Sequence, residues 1–160
     1  MKSQFNPWLG LAAFVVLTFA AAALGALFTS LSVGTWYTTL RRPSWTPPDW
    51  VFGPVWSVLY LSMAVAAWLV WRQHGLASAA WPLGLFAVQI ALNVVWSALF
   101  FALRNPGAAL FEIIFLWCAI LATALSFWRI SVPAGWLLVP YLAWVTYAAA
   151  LNFAFWRMNP

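Results

Sequence analysis

The chain has 160 residues, of which 66% are hydrophobic and only 6% charged, with a formal net charge of +5. Soluble domains carry roughly 25% charged residues, so this composition excludes a water-soluble globular protein and leaves an integral membrane protein whose solvent is mostly lipid. The positive charge does not suggest a nucleic-acid partner, because the basic residues stand at the edges of apolar runs and only Arg41 and Arg42 are adjacent; such residues serve the headgroup region.

In chain order, the first apolar run covers residues 8–30 and is long enough to cross a hydrocarbon core of about 30 Å at about 1.5 Å per residue. Lys2 before a run ending in AAALGA resembles a secretory signal, but the run exceeds the roughly 7–15 residues of a signal core, so a retained span is expected. A polar, Pro-rich connection follows, from Leu31 to Trp50. The second span is read at 51–71, with Pro54 in its first turn, where a missing N–H is tolerated. Arg72-Gln73-His74-Gly75 ends it. The third span is 81–103, the fourth 108–128 and the fifth 135–156, joined by Arg104-Asn105-Pro106-Gly107 and by a turn from Arg129 to Ala134. The expectation is an all-α, multi-pass membrane protein: one domain over residues 1–160, with five transmembrane helices in one bundle and a long Trp/Pro-rich loop between the first two. A bacterial membrane is the expected setting. Lys2, Arg72 and Arg129 fall on one side and Arg41, Arg42, Arg104 and Arg157 on the other, a balance that leaves orientation open.

The third span carries the clearest pattern. Gln89, Asn93 and Ser97 recur at i, i+4 and i+8 and share one face. Ala80, Gly84, Ala87, Ala91 and Ala98 form a small-residue stripe roughly 145° away. The polar stripe belongs inside the bundle, where its groups can be satisfied. The small stripe lets another helix approach. A homodimer through Gly84, Ala87 and Ala91 is one expectation, and packing against a helix of the same chain the other. The second span gathers Trp56, Tyr60, Met63, Ala67 and Trp71 on one face, and the fifth gathers Tyr141, Trp144, Ala148, Leu151 and Phe155, with Asn152 at the edge. Trp56, Tyr60, Asn93 and Trp144 each join a flat apolar body or a helix wall to a hydrogen-bonding group, the combination that a flat amphipathic ligand requires.

Little else carries chemistry. His74 has no Cys or acidic cluster near it in sequence, so no metal site is expected. Cys118 stands alone in an apolar run and reads as a small hydrophobe. Glu112, the acidic residue within a span, is either a functional carboxyl or one stabilised by the start of its helix and reaching the interface. Nucleophile–base pairs, P-loops and dinucleotide fingerprints are missing from the sequence.

Three segments together resemble the tryptophan-rich sensory protein and translocator protein family (TspO/MBR, the peripheral-type benzodiazepine receptor family). They are WYTTLRRPSWTPPDWVFGPVWSVLY from Trp36 to Tyr60, QIALNVVWS from Gln89 to Ser97, and LVPYLAW from Leu138 to Trp144 with Ala148 and Leu151-Asn152. The resemblance implies a five-helix bundle, often dimeric, with a pocket beneath the first loop that takes porphyrins and other haem-like tetrapyrroles, sterol-like molecules and benzodiazepine-type ligands. It implies transport, sensing or stress regulation, and requires no resident cofactor. By the same resemblance the pocket positions are Tyr37, Phe52, Trp56, Tyr60 and Asn93, together with Trp96, Ser97, Trp144, Ala148 and Leu151. Trp56 and Trp144 correspond to a tryptophan pair for which light-dependent porphyrin breakdown has been proposed, so an enzyme is the alternative to a binding protein; a purely structural subunit is the second alternative. In Leu151 to Arg157, Phe153 stands where the family's sterol-associated motif has Tyr, so a sterol is not expected at that site. Pro43, Pro47 and Pro48 stiffen the loop, and Trp45, Pro47, Pro48 and Trp50 are expected to form a lid. Arg41 and Arg42 are the nearest cations for a ligand's carboxylates, or else headgroup anchors.

Overall fold

A computed structural model describes residues 6–159; Lys2 and the possible signal n-region lie outside the described residues. Five of its helices are long and apolar enough to cross a membrane: α1 (Pro7–Ser30), α3 (Asp49–Ser78), α4 (Ala80–Ser97, continued by a π-helical turn Ala98–Ala102), α5 (Pro106–Ile130) and α6 (Val132–Met158). A four-residue helix, α2 (Trp36–Thr39), lies between α1 and α3.

The boundaries follow local chemistry. Asn6 caps α1 by accepting from the Trp8 N–H at 3.0 Å, with Pro7 in the first turn. Asn105 caps α5 in the same manner, accepting from the Ala108 N–H at 2.9 Å, with Pro106 following. Such caps satisfy donors that a helix start leaves unpaired.

Several boundaries differ from the sequence reading; Pro106 and Gly107, read as part of a turn, open α5. α3 begins at Asp49, so Trp50 is helical and Pro54 lies inside the helix rather than in its opening turn. Its missing N–H therefore removes one intrahelical bond. At the other end α3 breaks at Gly75 (φ 70°, ψ 175°), a left-handed φ that suits glycine. The turn expected from Arg129 to Ala134 shrinks to Ser131, held extended at φ −146°, and Pro133 belongs to the first turn of α6, where it costs nothing.

Around the bundle α1 packs on α3 and α4, α3 on α6, α6 on α5 and α5 on α4, so the helices form a ring in the order α1, α3, α6, α5, α4. At the end that holds the N-terminus the ring is filled. Trp68 donates its indole N–H to the Pro7 carbonyl at 2.8 Å, and Gly10 lets α1 approach the Trp71 ring, which an added Cβ would overlap. Phe86 stacks on Phe127 at a centroid distance of 6.1 Å. Met63, Val70, Ile120, Leu138 and Tyr141 are buried in the same core. Towards the 31–48 connection the ring is not filled, and the space becomes a cavity.

The small-residue stripe of α4 is not covered by another helix of this chain: Gly84, Ala87 and Ala91 are exposed, and a Cβ built on Gly84 meets nothing within 4 Å.

Candidate functional site

The cavity has a volume of ≈ 650 Å³, within the range of ligand pockets, about 300–1,000 Å³. All ten residues expected from the sequence line it. Tyr37 comes from α2, and Phe52, Trp56 and Tyr60 from α3. Asn93, Trp96 and Ser97 come from α4, and Trp144, Ala148 and Leu151 from α6.

Its floor is a hydrogen-bonded triad. Tyr60 donates its hydroxyl to Asn93 Oδ1, and Asn93 Nδ2 donates to the Tyr141 hydroxyl oxygen at 2.9 Å. The i, i+4 spacing of Asn93 and Ser97 puts them on the inner face of α4, as helical periodicity requires. One wall joins α4 to α6 and α5: Trp96 Nε1 donates to Asn152 Oδ1 at 3.0 Å, and Asn152 Nδ2 donates to the Pro106 carbonyl at 2.7 Å. Trp56 and Trp144 stand on α3 and α6. Phe52 meets Trp144 edge-on, with ring centroids 5.9 Å apart, and Trp56 meets Tyr141 edge-on at 6.1 Å. Aromatic side chains therefore supply much of the lining, with a few fixed polar groups among them, an arrangement suited to flat ligands.

The sequence reading missed one side. Phe19, Ala22, Ala23, Gly25, Ala26 and Thr29 of α1 line the cavity. Ala23, Ala26 and Ser30 of α1 and Gly53 and Ser57 of α3 both line it and are exposed, so it opens sideways between these two helices. Gly25 brings α1 close to α4, since a Cβ there would lie 3.3 Å from Ser97 Oγ. Phe100 and Phe101 also line the cavity, although neighbouring residues on an α-helix point about 100° apart. They lie in the π turn, which widens the helix locally.

The expected lid residues are placed elsewhere. None of Trp45, Pro47, Pro48 and Trp50 lines the cavity. Trp45 packs edge-on against Tyr147 at 5.6 Å, and its carbonyl accepts from the Tyr147 hydroxyl at 2.6 Å, which draws it onto α6. Trp50 is 75% exposed on the first turn of α3. Among the residues around this end that do line the cavity are Val33, Tyr37 and Asp49.

The mouth of the cavity carries charge. Arg42 bonds Asp49 Oδ1 through NH1 at 3.0 Å, and its Cζ lies 4.3 Å from the Tyr37 ring centroid. Burial pushes the Tyr37 phenol above its ordinary value of 10.0; Arg42 opposes the rise and Asp49 adds to it. Tyr37 is therefore neutral across the physiological range and acts as an aromatic wall.

Glu112 lies apart from this cavity. It is 7% exposed, and neither carboxyl oxygen has a hydrogen-bond partner. The reading in which it reaches the interface from the start of α5 does not hold, because both carboxyl oxygens are buried within the protein. Among the described residues no group of three His, Cys, Asp or Glu side chains could hold a metal ion.

The TspO/MBR family pattern matches residues 14–157. The chain is 43% identical over 156 residues to the "Tryptophan-rich protein TspO" of Chlorobaculum tepidum, covering 95% of this chain and 97% of that protein. It is 40% identical to the "Protein CrtK" of Rhodobacter capsulatus, covering 95% and 96%. The "Translocator protein" of Bos taurus is 39% identical over 155 residues, covering 96% and 92%.

Proposed function

The chain belongs to the TspO/MBR family, and on that premise we propose that this multi-pass membrane protein binds flat tetrapyrroles of the porphyrin or haem type, acting as a sensor and regulator or as a transporter. The observation that carries the proposal is the convergence of Trp56, Tyr60, Asn93 and Trp144 on one cavity of ≈ 650 Å³ whose lining is mainly apolar. Indole faces sandwich or edge a macrocycle, while the fixed polar groups orient it. The sideways opening between α1 and α3 supports entry from the bilayer, where such ligands partition. Related flat ligands, sterol-like and benzodiazepine-type molecules among them, would compete for the same space.

The test is titration of the purified protein with protoporphyrin in the dark, read by the Soret band and by tryptophan quenching. Saturable binding is expected, weakened at least tenfold in Trp56→Phe with Trp144→Phe. Unchanged affinity in that double variant removes the assignment of the cavity as the site.

A second reading is favoured by the placement of both Trp56 and Trp144 in the cavity lining: light- and oxygen-dependent oxidation of the bound tetrapyrrole. Illumination would then convert bound ligand faster than free ligand bleaches, and the double variant would lose the excess. Self-association through the uncovered Gly84, Ala87 and Ala91 face of α4 completes the proposal.

A further inference from the structure

Two acidic residues occur in the whole sequence, and one of them, Asp49, lines the cavity at its mouth. A carboxylate in that position repels an anionic ligand unless a cation compensates it. Arg42 is that cation. Its guanidinium uses NH1 on Asp49 at 3.0 Å and lies 4.3 Å from the ring centroid of Tyr37, which also lines the cavity. The group is thus held between two cavity residues.

The backbone beside it is fixed. The Arg41 N–H donates to Asn159 Oδ1 at 2.9 Å and the Arg41 carbonyl accepts from Asn159 Nδ2 at 3.1 Å, which ties the segment to the end of α6. Pro43 follows directly and restricts the conformation of Arg42. A guanidinium offers five N–H donors in a planar fork. One donor to one Asp49 oxygen leaves enough for a second carboxylate, and the Arg42–Asp49 pair is partly exposed, with side-chain exposures of 29% and 63%. Such pairs are held weakly and exchange readily.

We propose that Arg42 is the specificity-determining residue of the cavity: it selects flat ligands that carry a carboxylate, accepting that carboxylate in place of, or beside, Asp49 while the apolar body occupies the aromatic lining. This inference rests on the tetrapyrrole reading and adds the chemical handle by which the ligand is chosen. A bidentate guanidinium–carboxylate pair discriminates against a neutral ester by about tenfold or more.

The experiment compares protoporphyrin with its dimethyl ester, titrated in the dark against the full chain in the same detergent. The wild-type chain should bind the diacid about tenfold more tightly. Arg42→Gln should abolish the preference while leaving ester affinity within about twofold, which also reports an intact cavity. Arg42→Lys, which keeps the charge and loses the fork, should retain part of the preference. Asp49→Asn should raise diacid affinity by removing the competing carboxylate.

A preference that survives Arg42→Gln overturns the inference, and so does a fall in diacid affinity in Asp49→Asn. Equal loss of both probes in Arg42→Gln gives Arg42 a purely structural part and overturns it as well. Equal binding of both probes by the wild-type chain overturns the inference while leaving the tetrapyrrole reading in place. Binding of neither probe overturns that reading, and this one with it.

Discussion

Tyr60 on α3 donates its hydroxyl to Asn93 Oδ1 on α4, so the floor of the cavity is also a bolt between two membrane-spanning helices. Because Asn93 passes its amide on to the Tyr141 hydroxyl of α6, one side chain joins three helices. Asn93 is 4% exposed and Tyr141 fully buried. A buried polar group left without its partner costs about 1–3 kcal/mol, whereas removing all partners together is close to neutral.

Asn93→Leu should therefore lower stability by about 1–3 kcal/mol, seen as a lower midpoint of thermal unfolding by circular dichroism in one detergent. Adding Tyr60→Phe and Tyr141→Phe to it should recover most of the loss. If the triple variant is less stable than Asn93→Leu alone, the hydroxyls make other bonds that outweigh this triad.

Much of this arrangement was legible in the sequence. The spans are visible because crossing a bilayer demands about 20 apolar residues in succession. Asn93 and Ser97 are visible because polar groups at helical spacing inside an apolar run must face inward. The wall supplied by α1 was not legible: Ala22, Ala23, Ala26 and Gly25 differ in no visible way from lipid-facing residues, and only the ring order of the helices gives them a role. The loop misled for a different reason. Trp45 and Pro47 announce a stiff, aromatic segment, but composition does not give its direction, and the Tyr147 hydroxyl takes Trp45 to the outside of α6.

Glu112 is buried with both oxygens unpartnered, an arrangement that helix packing alone does not reward. Glu112→Leu should raise stability by about 1–3 kcal/mol, since it removes the desolvation cost and keeps the volume. The same thermal measurement checks it. A lower midpoint for Glu112→Leu would show instead that the carboxyl finds a partner in the membrane and contributes to holding α5 in place.

Two glycines separate fold from assembly. A Cβ on Gly135 would come within 2.8 Å of the Trp128 ring and 2.9 Å of its Cβ, near the base of that side chain, where little can move. Gly135→Val should destabilise the chain by about 1–3 kcal/mol through overpacking. Gly84 has open space around it, so Gly84→Leu should leave the unfolding midpoint of the monomer unchanged. In cross-linking and in analytical ultracentrifugation, Gly84→Leu should nevertheless weaken the dimer, because the bulk is added where a second α4 would approach. Undiminished dimer in Gly84→Leu removes this face as the interface.

The last contact to be tested closes the chain on itself. Asn159 bonds both the N–H and the carbonyl of Arg41, Ser32 bonds the Phe101 carbonyl at 2.7 Å and the Tyr147 hydroxyl bonds the Trp45 carbonyl, so the 31–48 connection is fastened at Ser32, Arg41 and Trp45, besides the Arg42–Asp49 pair. Exposed segments open locally when such bonds are few. Asn159→Ala removes the tie at Arg41, next to the Arg42 of the cavity mouth, and alters no cavity-lining residue. Limited trypsin digestion should then cut after Arg41 several-fold faster, and bound protoporphyrin should dissociate faster by a similar factor in stopped flow. The midpoint of thermal unfolding should move little, because the helices do not depend on this tie. Faster digestion with an unchanged dissociation rate would mean that the ligand leaves by the opening between α1 and α3 rather than past the loop. That result would make Ala26→Trp the variant that slows exit, by filling the gap opposite Gly53 and Ser57.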